Sequence, residues 1–155
     1  MTEIQALLLI KSILESADIH GIENILAEDC EYMSTGRGII GRNRNESIEF
    51  LSSMTESIKA DNVPVTCKVM HITDVYEEDA LFHEGRHGLT VSYESSDNYV
   101  YMIFVDVNDE GLVDRIVSSQ ENYSIEYDDL RFGDDESEYA FISAPTTVKD
   151  WITAL

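Results

Sequence analysis

The spacing of the apolar residues changes once along the chain, near residue 63, and this change is the strongest constraint on the fold. Before it, apart from a short strand-like stretch at residues 30–34, apolar residues recur at helical spacing; after it, they alternate with polar residues in β-branched runs. Short turns such as Asn108–Gly111 separate these runs, which favours antiparallel neighbours. The sequence therefore predicts an α+β fold, with helices first and a curved, mixed or antiparallel sheet after them.

Three helices are predicted before residue 63. The first covers about residues 2–17, and its apolar arc is so wide that we expect it to pack on more than one side. Asp18 is a candidate cap for a short second helix that runs to about Glu28. The third follows Asn43, which forms a capping-box pattern with the glutamate three residues later, and it runs to about Lys59.

Five strands are predicted, and the first is followed by a loop at Thr35–Gly38. Gly85 and Gly88 interrupt the third strand and indicate bulges or bends there. The predicted strands cover residues 30–34, 63–76, 81–93, 99–107 and 112–119.

Acidic residues dominate the charge of the chain. It has 155 residues, 31 of them acidic and 10 basic, for a formal charge of −21. Such a field repels phosphate backbones and anionic membranes, so neither a nucleic acid nor a membrane is expected as a partner. Two interpretations of the acidity stay open: a solubility device, or a field that steers a basic partner.

The cysteines and the apolar segments predict a cytoplasmic chain without a metal or another cofactor. Cys30 and Cys67 lack the paired spacing of zinc or redox sites and are interpreted as buried small hydrophobes. No segment has the ~20 apolar residues needed to span a bilayer. Length predicts one domain over residues 1–120, with an acidic extension, 121–155, packed on it and ending in a docked helix near 147–155.

The order of these elements resembles that of the NTF2-like superfamily. The resemblance covers about residues 2–120 and includes Ile22–Ser34, where Asp29 precedes an alternating strand, and the glycine turn Gly41–Asn43 before the third helix. It implies a cone in which the sheet wraps the first helix and leaves a pocket, as in SnoaL-like proteins and ketosteroid isomerases. It also implies homodimers through the sheet. Some members are isomerases, cyclases, dehydratases or epoxide hydrolases, and others only bind proteins, so the fold does not decide the function.

Three histidines and a carboxylate are the candidate catalytic groups. His71 alternates with the apolar residues of its strand, and His83 and His87 share parity with those of the next. If these apolar residues line the cone, the imidazoles are placed for acid–base chemistry, and Asp106 is a candidate to orient one of them. We predict catalytic roles for His71, His83 and Asp106, and a ligand-binding role for His87.

Tyr32, Tyr101 and Arg37 complete the predicted ligand site. The tyrosines are candidate donors to an oxyanion, and the arginine is a candidate clamp for a carboxylate or phosphate. Structural roles are the alternative for all of them, as packing residues or a surface ion pair. No metal is predicted, because His83 and His87 are roughly 13 Å apart along a strand.

Two functions from different classes follow. The first is a pocket protein for a small apolar ligand, with isomerase-, cyclase- or dehydratase-like acid–base chemistry. The second is a non-catalytic interaction or oligomerisation module with an acidic surface. The two functions require different strand faces inside the cone. If the face with the histidines lines it, a pocket is open; if the opposite face does, bulky residues, including Met102 and Phe104, fill it.

Overall fold

The computed structural model describes residues 1–34, 37–62, 64–75, 83–93, 100–119 and 130–134. Within these ranges lie two α-helices, a single 3-10 turn and seven strands. The helices are α1, Glu3–Ser16, and α2, Arg44–Asp61. The strands are β1, Leu26–Ser34; β2, Gly38–Gly41; β3, Val65–Val75; β4, His87–Tyr93; β5, Val100–Val107; β6, Val113–Ser119; and β7, Leu130–Asp134.

All seven strands form one mixed sheet, in the order β2-β1-β6-β5-β4-β3-β7. Neighbours are antiparallel except β1 and β6, which are parallel. The helices and the sheet confirm the predicted α+β class and the antiparallel run from β3 to β6. β2 and β7 were not predicted; they extend the sheet at its two edges.

Helix α1 is the centre of the main core. A capping box begins it: the Gln5 main-chain N–H donates to the Thr2 hydroxyl at 3.2 Å, and the Thr2 N–H donates to the Gln5 side chain at 2.8 Å. Ala17 ends it in the left-handed conformation, with φ of 54°. The helix lies against β3, β4 and β5. Its wide apolar arc is buried as predicted, at Ala6, Leu7, Leu8, Leu9, Ile10, Ile13 and Leu14.

The predicted second helix is wrong. Only Ile22–Asn24 forms a turn of 3-10 helix, and β1 already begins at Leu26. The reason is pairing with β6: the Val113 N–H donates to the Ile25 carbonyl at 2.9 Å, and Leu26 lies opposite Val113. Sheet hydrogen bonds and burial of these apolar residues outweigh the helical spacing, so two N-terminal helices are present rather than three.

Strand alternation divides the sheet into an inner face, which packs on α1, and an outer face. The inner face carries Cys67, Val69, Leu89, Val91, Ile103 and Val105, all at most 1% exposed. The outer face carries Ile72, Met102, Phe104 and Val117, which are also at most 2% exposed. Parts of both faces are therefore buried, although Thr66 and Lys68 on the outer face of β3 are exposed. His71 and His87 belong to the inner face.

The predictions about loops and termini have mixed outcomes. Gly85, with φ of 87°, lies in the turn before β4, whereas Gly88 pairs regularly with Met70 inside β4. Residues 35–36 and 81–82 and the predicted helix near 147–155 lie outside the described residues. Among the helices described, none is both long and apolar enough to cross a membrane.

Candidate functional site

A pair of histidines occupies the inner face where β3 ends and β4 begins. His71 and His87 are direct partners in the antiparallel ladder, and their ring centroids are 6.2 Å apart. The sequence predicted both on the apolar parity, and the register brings them side by side. Each is partly exposed, so the pair lies at the border between the core and solvent.

The carboxylate of Glu3 joins the pair from the first turn of α1. One of its oxygens, Oε1, accepts a hydrogen bond from the His87 main-chain N–H at 2.9 Å and lies 3.5 Å from the ring Nδ1. Position in the first turn suits a carboxylate, because the N-terminal end of a helix favours negative charge. The side chains of His87 and Glu3 are 26% and 35% exposed.

The Glu3 carboxylate and the imidazoles of His87 and His71 form an arrangement that is suited to proton transfer. A carboxylate at Nδ1 fixes the ring and favours the tautomer that carries its proton there, which leaves Nε2 as the basic nitrogen. It also stabilises the imidazolium that forms when Nε2 takes a proton. We call Glu3, His71 and His87 the histidine cluster.

His83 lies in the turn before β4 and outside the histidine cluster. Its main-chain carbonyl accepts from the Arg86 N–H at 3.1 Å, which closes the turn, and its Nδ1 is 3.2 Å from the Glu84 carbonyl. No contact that the structure gives for the described residues joins it to His71 or His87. The strand predicted over 81–93 begins only at residue 87, so the parity argument did not apply to His83.

Asp106 lies on the outer face, away from the histidine cluster. One of its oxygens is 3.0 Å from Arg86, and the other is 3.9 Å from Arg115. The Arg86 side chain is only 7% exposed; it donates to the Val105 carbonyl at 3.2 Å and lies 5.6 Å from the centroid of the Phe104 ring. The structure thus gives Asp106 an ion-pair role in place of the predicted contact with an imidazole.

Tyr32 lies on the inner face of β1 and is fully buried. Its ring packs on Phe50 of α2 with centroids 4.5 Å apart, and its hydroxyl is 3.5 Å from the Met54 sulfur. This is the packing role that the sequence left open as the alternative. Ser34, two residues on, has a buried hydroxyl that finds no hydrogen-bond partner among the described residues.

Tyr101 and Arg37 lie in different surroundings from each other. Tyr101 is 5% exposed, belongs to the inner core and pairs with Val91 across β5 and β4. Arg37 is exposed in the turn between β1 and β2, where its N–H donates to the Ser34 carbonyl at 3.2 Å. Neither contacts the histidine cluster in the interactions that the structure gives for the described residues.

Both cysteines are buried, as predicted, and carry thiols rather than a disulfide. Burial raises the pKa of the Cys30 thiol to about 12, and the nearby carboxylate of Asp114 adds to the effect. Within the described part of the chain, no three His, Cys, Asp or Glu side chains are grouped so that they could hold a metal ion.

A separate polar groove lies where the end of α1 meets α2. It has a volume of about 250 Å³. His20 lies in it but has no part in the histidine cluster. The groove is lined by Ala17, Asp18, Ile19, His20, Ser52, Thr55, Glu56 and Lys59.

The chain is an α+β protein in which α1 packs on the inner face of a mixed sheet and the histidine cluster lies at the solvent border of that face. No protein-family model matches the chain, and no curated protein matches its sequence. Solved structures do match it, and their descriptions carry the NTF2-like and SnoaL-like names that the sequence led us to expect.

Three of these structures illustrate the likeness. An NTF2-like protein of unknown function from Cytophaga hutchinsonii is 12% identical with a TM-score of 0.47, over 77% of this chain and 98% of that one. A putative isomerase of the SnoaL-like family from Agrobacterium tumefaciens is 12% identical with a TM-score of 0.46, over 76% and 97%. The epoxide hydrolase/cyclase-like enzyme SalBIII, of pyran ring formation in salinomycin, is 13% identical with a TM-score of 0.45, over 76% and 90%.

Proposed function

We propose that the chain binds a small carbonyl compound at the histidine cluster and moves a proton on it through His87. The observation that carries this proposal is the double contact of Glu3 with His87, through the main-chain N–H at 2.9 Å and toward the ring Nδ1 at 3.5 Å. A carboxylate that fixes both the backbone and the ring of one histidine gives the imidazole a defined direction.

The proposed step is an isomerisation by proton abstraction and return. Nε2 of His87 takes a proton from the carbon beside the carbonyl, and the electron pair of that C–H bond moves to form an enolate. His71, whose ring centroid is 6.2 Å from that of His87, donates a hydrogen bond to the enolate oxygen. The ligand carries a C=C bond next to the carbon that loses the proton, so the intermediate is a dienolate. Nε2 returns the proton to the far carbon of that bond, the C=C bond moves next to the carbonyl, and the sum of atoms and charges is unchanged.

The partial exposure of the histidine cluster supports a ligand site at the solvent border of the inner face. Leu89, two residues beyond His87 on the same face, is fully buried, whereas His87 itself is 26% exposed. The inner face below the cluster is filled by α1 and the apolar side chains of the sheet. A ligand that reaches the imidazoles thus needs a polar end at the cluster and an apolar body that shields it from water.

Solvent deuterium exchange tests the proposal with a panel of linear and cyclic unsaturated ketones. Each ketone is incubated with the protein in D₂O, and deuterium at the carbon beside the carbonyl is followed by NMR. We expect exchange above the buffer rate that is lost in His87→Gln and reduced in His71→Gln. His83→Gln is the matched control and should behave like the wild type. Equal rates in His83→Gln and His87→Gln, or no exchange above buffer with any ketone, would contradict the proposal.

A second candidate, an interaction module for a basic protein, is favoured by the carboxylates on β1 and β6. Burial and the nearby Asp106 carboxylate raise the pKa of Asp114, and Asp29 adds a further negative charge. Polylysine binding measured from low to high salt tests this candidate. The affinity should fall steeply as the ionic strength rises, and it should be weaker in the double variant Asp29→Asn with Asp114→Asn. An affinity that does not change with salt would rule out this second function.

A further inference from the structure

Three arginines lie close together around β2, in a chain that is otherwise strongly acidic. Arg37 lies in the turn before β2, Arg42 follows the strand directly, and Arg44 begins α2. They are three of only ten basic residues, and no acidic residue occurs between residues 32 and 45. On a protein with a formal charge of −21, this positive segment attracts anionic groups that the rest of the surface repels.

The side chains of these arginines can reach a partner from outside the chain. Arg37 and Arg42 are exposed, and Arg44 is partly exposed. Among the ion pairs between described residues, none involves any of the three. Glu46 does accept a hydrogen bond at 3.2 Å, but from the Arg42 main-chain N–H rather than from the guanidinium. A guanidinium without a carboxylate partner of its own can bind one bidentately from another molecule.

The strand between these arginines lies at one edge of the sheet. β2 pairs with β1 on one side, and no strand in the described part of the chain pairs with its other side. Gly38 is exposed, and Ile39 is 46% exposed. A Cβ at Gly38 would meet no atom within 4 Å, so the space beside this backbone is open. The main-chain N–H and C=O groups of such an edge can pair with an added strand.

The arginines decide which kind of strand the edge can accept. If β2 paired antiparallel over its full length with β2 of a second copy, Gly38 would lie opposite Gly41, and Arg37 opposite Arg42. Like charges that lie directly opposite each other in a sheet destabilise the pairing. A strand with carboxylates at the same two positions forms ion pairs instead. Charge complementarity therefore favours an acidic strand over a second copy of β2.

We propose that β2 and its arginines bind an extended acidic segment of another protein, which adds to the edge of the sheet as a further strand. The main chain of the segment pairs with β2, its carboxylates lie opposite Arg37 and Arg42, and an apolar residue between them contacts Ile39. The two arginines are five residues apart, about 17 Å at ~3.3 Å per residue, so we expect the carboxylates of the segment at the same spacing. This site is separate from the histidine cluster and does not depend on the proposed isomerisation.

Binding of a short peptide to the full chain tests the proposal. The probe is the capped, fluorescently labelled hexapeptide Glu-Val-Thr-Val-Thr-Glu, whose two glutamates have this spacing, and fluorescence anisotropy at low salt measures its affinity. We expect Arg37→Gln with Arg42→Gln to weaken binding by about tenfold, since two charge-assisted contacts are lost. Lys68→Gln with Arg115→Gln is the matched control. It changes the net charge equally, at exposed positions on β3 and β6, and should bind like the wild type.

A second peptide separates strand addition from attraction between charges alone. N-methylation of the valine and threonine amides of the same hexapeptide keeps both carboxylates but removes the donors that an added strand needs. We expect this peptide to bind about tenfold more weakly than the unmodified one. The unmodified peptide should also shift the amide NMR signals of Gly38–Gly41 more than those of other residues. Circular dichroism shows whether each variant is folded, and Arg37→Gln alone serves if the double variant is not.

Four outcomes would overturn the proposal. No binding of the hexapeptide to the wild type would show that the edge accepts no acidic strand. Equal weakening in the two double variants would assign binding to the net charge of the protein. Equal affinity for the methylated peptide would show that the arginines bind anions without an added strand. Dimerisation of the wild type that competes with the peptide would assign the edge to a second copy.

Discussion

Glu3 and His87, 84 residues apart in sequence, meet through a 2.9 Å hydrogen bond from the His87 main-chain N–H to Glu3 Oε1. The same oxygen lies 3.5 Å from the His87 ring Nδ1. One carboxylate thus holds the N-terminal end of α1 against the start of β4 and also faces the imidazole. A fold contact and a candidate catalytic contact are the same interaction, so changes at Glu3 should affect both stability and ring orientation.

Gly88 is required by its contact with Phe104 on the outer face. A Cβ at residue 88 would lie 2.7 Å from the Phe104 ring and 3.0 Å from the terminal methyl of Met102. Gly88→Ala should lower the free energy of unfolding by about 1–3 kcal/mol in urea denaturation, since overpacking of a filled core forces shifts. Combining it with Phe104→Leu should recover part of the loss. Additive losses in the double variant would show that the ring is not the cause.

Arg86 is expected to stabilise the fold through its partly buried ion pair with Asp106. Arg86→Met removes the 3.0 Å contact and the 3.2 Å hydrogen bond to the Val105 carbonyl. Because Asp106 is 38% exposed and water takes over part of the lost interaction, we expect a loss of about 2 kcal/mol of unfolding free energy. Arg115→Met is the control, exposed and 3.9 Å away, and should cost less than about 0.5 kcal/mol. Equal losses would place the effect outside the ion pair.

Asp114 should make the protein less stable as the pH rises through the acidic range. Burial and the Asp106 carboxylate raise its pKa above the ordinary 3.8, so the folded protein holds this proton more tightly than the unfolded chain does. Its contribution to stability is full below pH 3.8 and is lost as the pH rises through the raised pKa. Asp114→Asn should therefore be more stable than the wild type at neutral pH, with the difference shrinking toward low pH. Urea denaturation across this range measures it; a difference that grows on acidification would contradict the sign.

The native cysteines should resist thiol reagents at neutral pH. Cys30 has a pKa raised to about 12 by burial, and both Cys30 and Cys67 are at most 1% exposed. We expect no reaction with an aromatic disulfide reagent in the native protein and two reacted thiols in urea. Rapid native labelling of either cysteine would show that the core opens locally.

The sequence predicted the histidine pair because strand alternation depends only on local pattern. His71 and His87 share parity with buried neighbours, and a short connection places their strands side by side. The same argument failed for His83, since the turn before β4 breaks the alternation. The predicted contact of Asp106 with an imidazole was wrong for a related reason. Its partner, Arg86, lies in that turn, where no strand alternation predicts which way a side chain points.

Helical spacing alone could not predict the contact of Glu3 with His87, because that contact depends on how α1 docks on the sheet. One signal was present, however. Glu3 lies on the same helical stripe as Leu7, Ile10 and Leu14, all buried, so a charged residue interrupts an apolar stripe at its first turn. Likewise, the parallel pairing of β1 with β6 joins segments far apart in sequence and has no local signature.

The tautomer of the His87 ring shows whether Glu3 orients this imidazole for proton transfer. Long-range ¹⁵N–¹H NMR of the histidine rings, at a pH where they are neutral, distinguishes a proton on Nδ1 from one on Nε2. We expect the His87 ring to carry its proton on Nδ1, facing Glu3, and we expect Glu3→Gln to shift the ring toward the tautomer mixture of the exposed His20. A His87 ring with the same tautomer mixture as His20 in the wild type would show that Glu3 does not orient the imidazole.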